Sequence, residues 1–128
     1  MAVHALIVDA SPIGRRSLKE ALSRSRLAEF AVTEADGPEG LRSHFDPDTT
    51  DVVFLGVDDR AATGIVFRMV GTLRTMQTRP LCIVLVGSER TLRRLDLVGV
   101  DRTLVRPVRA KTLDAHLAPL LAPAGSTP

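Results

Sequence analysis

Apolar positions along the chain fall into short unbroken runs, separated by segments in which they recur every three or four residues. Ala5-Leu6-Ile7-Val8 is an unbroken run of strand length, as expected for a strand buried on both faces. Ser11-Pro12 follows as a helix start, because serine caps the free N–H groups of a first turn and proline at the first helical position loses no hydrogen bond. Leu18, Ala21 and Leu22 then recur at helical spacing, with Arg15, Arg16, Lys19 and Glu20 on the other side. Phe30 to Thr33 reads as a shorter, less apolar strand at a sheet edge, Glu39 to Phe45 as a brief helix, and Asp46-Pro47-Asp48 as a turn.

The pattern repeats through the second half. A strand is expected at Val52 to Val57, then a helix from about Gly64 to Arg74 whose apolar positions are Ile65, Phe67, Met69, Val70 and Leu73. Leu81 to Val86 is the most apolar stretch and is expected at the centre of the sheet. A helix near Glu89 to Val98, a strand at Thr103 to Val105, and a last helix from Ala110 to Leu121 complete the series, with Pro119 near its end. Five strands alternating with five helices predict an α/β fold: a doubly wound, five-stranded parallel sheet with helices on both faces. In such sheets the functional crevice lies at the carboxyl ends of the strands. That places Asp9 and Ala10, Gly56 to Asp59, Val86 to Ser88, and Arg106-Pro107 at the candidate site.

Composition narrows the classes of function. A chain of 128 residues has the size of one domain, expected over residues 1–121, with 122–128 as a small, polar, disordered tail. The net charge of +2 is nearly balanced, the 15 arginines are scattered, and neither Trp nor Tyr is present to stack on bases, so nucleic acid is not an expected partner. No run approaches the ~18 apolar residues that span a bilayer. The N-terminus lacks a basic lead and breaks its apolar run at Asp9, so no secretory signal is read and a cytoplasmic location is expected. Cys82 is single and sits within an apolar run, as a small buried hydrophobe would. His4, His44 and His116 show no metal-ligand spacing, and no cofactor is expected.

Four segments, in order, resemble one family. ALIVDASPIGRRSLKEAL is similar to the first strand, acidic pair and first helix of response-regulator receiver domains, the CheY-like phosphoacceptor modules of two-component signalling. VTEADGPEGL resembles the second strand and the turn after it; DVVFLGVDDRAATGIVF resembles the phosphoacceptor segment, with Gly64 opening the third helix; GVDRTLVRP resembles the fifth strand and its Lys-Pro ending. The likeness covers roughly residues 3–121. It implies a (βα)5 flavodoxin-like sheet in the order 2-1-3-4-5 and, from the family's Lys-Pro, a cis bond at Arg106-Pro107.

The departures from the family pattern fall on its chemistry. Of the acidic pair that holds a divalent cation, Asp9 remains and its neighbour is Ala10. The aspartate that takes the phosphoryl group falls on Gly56, and the phosphate-pairing lysine on Arg106. The hydroxyl residue falls on Val86, or on Ser88 if the register shifts by two. Aspartyl phosphorylation needs a carboxylate nucleophile and a magnesium ion to offset the phosphoryl charge. Gly56 removes the first, and two of three carboxylates are absent for the second, so no metal site is expected. Arg106 is left to pair with Asp9 or to lie in solvent. Asp58, two residues past the acceptor position, is read as part of a solvated turn with Asp59.

Three readings of function follow. The first is a stand-alone, non-enzymatic pseudo-receiver that acts by phosphorylation-independent protein interaction, with a signalling protein or a second copy of itself as partner. The second is a receiver still phosphorylated at a displaced carboxylate such as Asp58. The third is an unrelated ligand-binding protein or enzyme on a similar fold. By resemblance, the partner surface maps onto the fourth helix, fifth strand and fifth helix: Arg90, Arg93, Arg94 and Asp96; Asp101, Arg102 and Thr103; Arg109, Lys111 and Asp114. Thr103 stands where the family usually has an aromatic switch residue, which implies a constitutive conformation. No output module is expected after residue 121.

Overall fold

A computed structural model describes residues 2–58, 63–76, 79–94 and 99–121. Five strands alternate with five helices: β1 (Ala2–Val8), α1 (Pro12–Ser23), β2 (Glu29–Ala35), α2 (Pro38–His44), β3 (Val52–Val57), α3 (Thr63–Arg74), β4 (Leu81–Val86), α4 (Glu89–Arg94), β5 (Arg102–Val105) and α5 (Ala110–Leu121). The strands form one parallel sheet in the order β2-β1-β3-β4-β5. The tail at 122–128 and the expected end of the fourth helix at 95–98 lie outside the described residues, as do Asp59 and Asp96.

The alternation of side chains along each strand sends successive residues to opposite faces. On one face Leu6, Val8, Val53, Leu55, Val57, Val84 and Val86 pack under Leu41 of α2, Val66, Met69, Val70 and Leu73 of α3, and Leu92 of α4. On the other, Ile7, Phe54, Ile83 and Leu85 pack under Leu18, Ala21 and Leu22 of α1 and Leu113 and Leu117 of α5. Because helices cover both faces, the central strands are apolar without interruption: Val52 to Leu55 and Ile83, Val84 and Val86 are fully buried.

Two strands run longer than their apolar runs predict. β1 begins at Ala2, not Ala5, and its first three residues pair with β2 alone, since pairing with β3 starts at Ala5↔Val52. With one neighbour strand only, this end shows half-exposed alternation, Val3 buried between exposed Ala2 and His4. β2 extends over Glu29–Ala35 because its backbone pairs with all seven residues of β1, whatever the polarity of its solvent side.

Cys82 lies in β4, buried, and burial pushes its thiol from 9.0 up to about 12, with Asp101 adding to the rise and Arg79 opposing it. Below pH 9 the thiol is neutral in both folded and unfolded chains. Between pH 9 and 12 the unfolded chain releases a proton that the folded chain retains, so stability falls as pH rises through this window. The urea midpoint is therefore expected to drop between pH 8.5 and 10, and to drop less in Cys82→Ala; equal slopes in the two proteins would contradict it.

Candidate functional site

The carboxyl ends of β1, β3 and β5 bring Asp9, Gly56 and Arg106 together. Ser11 caps α1: its backbone is extended, its side chain accepts from Gly14 N at 3.1 Å, and Pro12 occupies the first turn. The turn between β1 and α1 thereby holds Asp9 in place, with Asp9 N donating to Ala35 O at 3.0 Å. Asp9 is 6% exposed, one of two buried polar residues among those described.

Its carboxylate is engaged at both oxygens. Ser11 N donates to Oδ1 at 2.9 Å, and Arg106 Nη1 donates to Oδ2 at 2.8 Å. The second nitrogen of the guanidinium, Nη2, donates to Val57 O at 3.0 Å, so Arg106 bridges the ends of β1 and β3 from the exit of β5. Arg106 N is itself held by Val86 O at 2.8 Å, and the Arg106-Pro107 bond is cis. An ion pair in this setting, 7% and 24% exposed at its two side chains, is screened far less than a surface pair.

Gly56 is the contact that makes the arrangement possible. A Cβ at this position would stand 2.5 Å from Asp9 Cγ and 2.9 Å from Asp9 Cβ, and closer still to Oδ2. The Asp9 side chain thus lies in the volume that a side chain at the end of β3 would fill. Gly14 closes the other side: a Cβ there would meet Oδ2 of Asp9, and would stand 2.9 Å from Arg106 Nη1. The sequence pattern singles out Gly56 but not Gly14, whose only signal is a poor helix former in the first turn of α1. The sequence pattern likewise places Arg15 only on the helix's polar side; its Nη1 donates to Asp9 O at 2.6 Å while its Nε pairs with Glu34 at 3.4 Å.

The remaining expected residues sit differently. Ala10 lines the pocket with a methyl group where a second carboxylate would stand. Asp58 is exposed on the pocket rim and is engaged with another group. Val86 is fully buried in the core under α2, α3 and α4, and Ser88 Oγ accepts from Thr91 N at 3.3 Å as α4 begins; the pocket wall at this point is Gly87. Around these groups lies a cavity of about 750 Å³, lined also by Ile13, Pro38, Ile65, Val66 and Met69.

A divalent cation does not fit this donor set. Both Asp9 oxygens already accept hydrogen bonds, one from a guanidinium that a cation would have to displace, and Ala10 and Gly56 offer no oxygen ligand from a side chain. Among the described residues, no three His, Cys, Asp or Glu side chains stand close enough to hold a metal.

On the surface expected to meet a partner, Arg90, Arg93, Arg109 and Lys111 are exposed, and Arg102 and Thr103 are half-buried on β5. Two of the acidic residues are engaged within the molecule instead. Asp101 Oδ2 accepts from Cys82 N at 2.8 Å, and Asp114 accepts from Ser25 Oγ and from Arg26 N at 2.9 Å, fastening α5 to the segment between α1 and β2. Asp96 and the side chain of Arg94 lie outside the described residues.

No family model matches the chain. A protein-glutamate methylesterase/protein-glutamine glutaminase of Symbiobacterium thermophilum is 32% identical over 123 residues, covering 91% of this chain. The chain spans 32% of the length of that relative. Among solved structures, a signal receiver domain of a two-component histidine kinase from Clostridium thermocellum superposes with a TM-score of 0.75 at 15% identity, covering 94% of this chain and 98% of that one. A CheY-like receiver domain from Methylobacillus flagellatus gives 0.71 at 19% identity, covering 94% and 99%. A Burkholderia pseudomallei response regulator with a phosphorylated aspartic acid and a calcium ion gives 0.65 at 20% identity, covering 90% and 66%. No helix among the described residues is long and apolar enough to cross a membrane. Strand order, helix placement and these superpositions agree on one conclusion: the chain has the fold of the CheY-like receiver domains.

Proposed function

We propose that the protein is an atypical receiver, a non-enzymatic regulatory module of bacterial two-component-type signalling that works without phosphorylation at the end of β3. The observation that carries this reading is the Asp9 carboxylate packed over Gly56 and tied to Arg106. The residue at the acceptor position has no nucleophile, and the space above it is already taken. The guanidinium that would otherwise pair with a phosphoryl group is bound to a carboxylate of the protein itself. With the position above Gly56 filled and Arg106 engaged, signalling falls to contact with a protein partner or a second copy of the chain, in the cytoplasm. The exposed cations Arg90, Arg93, Arg109 and Lys111 suit an acidic partner surface.

The test is incubation of the purified protein with magnesium and a small phosphodonor, or with beryllium fluoride, followed by intact mass and thermal unfolding. No adduct and no shift in melting temperature are expected. A phosphoryl adduct that vanishes in Asp58→Ala would overturn the proposal in favour of a displaced acceptor. A rise in melting temperature with magnesium alone would show that cation binding survives.

A further inference from the structure

We propose that the open part of the pocket, outward of the Asp9–Arg106 pair, binds a small organic cation: a basic nitrogen carried on an apolar body. The cavity, about 750 Å³, lies within the roughly 300–1,000 Å³ typical of small-molecule sites. Its wall combines Ile13, Pro38, Ile65, Val66 and Met69. Ile13 is 82% exposed and Ile65 42% exposed, although neighbouring positions on both helices bury their apolar side chains in the core. Two large apolar side chains facing one concavity at the carboxyl ends of the strands is the arrangement of a site awaiting an apolar group.

Charge decides what that group carries. The described wall holds three carboxylates, Asp9, Asp36 and Asp58, against the one guanidinium of Arg106, a formal charge of −2 on a chain whose net charge is +2. Asp9 and Arg106 satisfy each other, and Asp58 has a partner of its own. Asp36, exposed beside Pro38, takes no hydrogen bond or ion pair among the described residues and is the principal counter-charge. At the amino end of α1, Asp9 takes the N–H of Ser11 and the Ser11 side chain takes that of Gly14, which leaves little of the helix end to offset this charge. The acidic groups are too dispersed for a metal ion, which leaves a cation whose charge is borne by a larger molecule. The site stands on this lining and charge, and so it stands or falls separately from the phosphodonor experiment.

Three probes sharing one apolar body separate the terms: phenylbutylamine, phenylbutanol and phenylbutyrate, each titrated into the full chain at low ionic strength and followed by calorimetry and amide NMR. The amine is expected to bind saturably and at least about tenfold more tightly than the carboxylate. The largest amide shifts are expected at Ile13, Asp36, Gly37 and Ile65. Asp36→Asn should weaken the amine about threefold while leaving the alcohol unchanged, and Ile65→Ser, which removes apolar wall without adding charge, should weaken all three; thermal unfolding confirms that both variants remain folded. Binding of the carboxylate as tight as the amine, equal binding of amine and alcohol, shifts centred elsewhere, or saturation by none of the three would each overturn the proposal.

Discussion

Replacing Gly56 by alanine is expected to destabilise the protein by about 3 kcal/mol, the scale of overpacking a filled core with one methyl and losing a charged hydrogen bond. The sign is informative, because the ordinary effect of Gly→Ala in a strand is the opposite: reduced freedom of the unfolded chain stabilises by about 0.4–1 kcal/mol. Here the new Cβ would lie 2.5 Å from Asp9 Cγ, and Asp9 can yield only by releasing Arg106 and Ser11 N. The steric and electrostatic loss is larger than the entropic gain. Removing Asp9 as well should relieve the clash, so Gly56→Ala and Asp9→Ala should combine with a favourable coupling of about 1–2 kcal/mol in urea unfolding. A neutral or stabilising Gly56→Ala would mean that Asp9 swings away freely. The same geometry bears on restoring an acceptor. Gly56→Asp would set a second carboxylate against the first with one guanidinium between them, so this change alone is expected to destabilise the protein and to give no aspartyl phosphate with a small phosphodonor, as intact mass would show.

Asp9→Ala alone is the second large effect, expected at about 2–3 kcal/mol. The carboxylate accepts from Ser11 N at 2.9 Å and Arg106 Nη1 at 2.8 Å, and charge-assisted hydrogen bonds of this kind contribute about 1.5–3 kcal/mol. Arg106 keeps its bond to Val57 O and its partial access to water, which limits the loss. Asp9→Asn should cost about 1 kcal/mol less, since its amide oxygen can still accept from Ser11 N. Urea unfolding of both variants measures the difference, and equal stability to the parent chain would remove the ion pair from the account of the pocket.

The parts of this fold that were legible in the sequence are those written in local patterns. Unbroken apolar runs marked β3 and β4 because both faces are covered, and Ser11-Pro12 marked the start of α1 because capping is a matter of neighbouring residues. The first residues of β1 were not legible, since their strand state comes from β2 across the sheet. The site divides in the same way. Gly56 and Asp9 could be placed by counting along strands, but their packing against each other is a property of space. Gly14, three positions into a helix, acquires its role only from side chains that arrive from β1 and β5. Asp101 and Asp114 read as surface charges for an equivalent reason: their partners lie 19 and 88 to 89 residues away.

The bond between Arg106 and Asp9 has one more consequence, concerning the order of assembly. It spans 97 residues, and β5 is a four-residue edge strand paired with β4 alone, so the guanidinium reaches the centre of the sheet only after every intervening strand is in place. By then strand pairing has already bridged the 97-residue separation, so the contact adds little closure entropy of its own and forms late. The pair therefore acts as a latch on a finished molecule: weakening it should quicken unfolding far more than it slows folding.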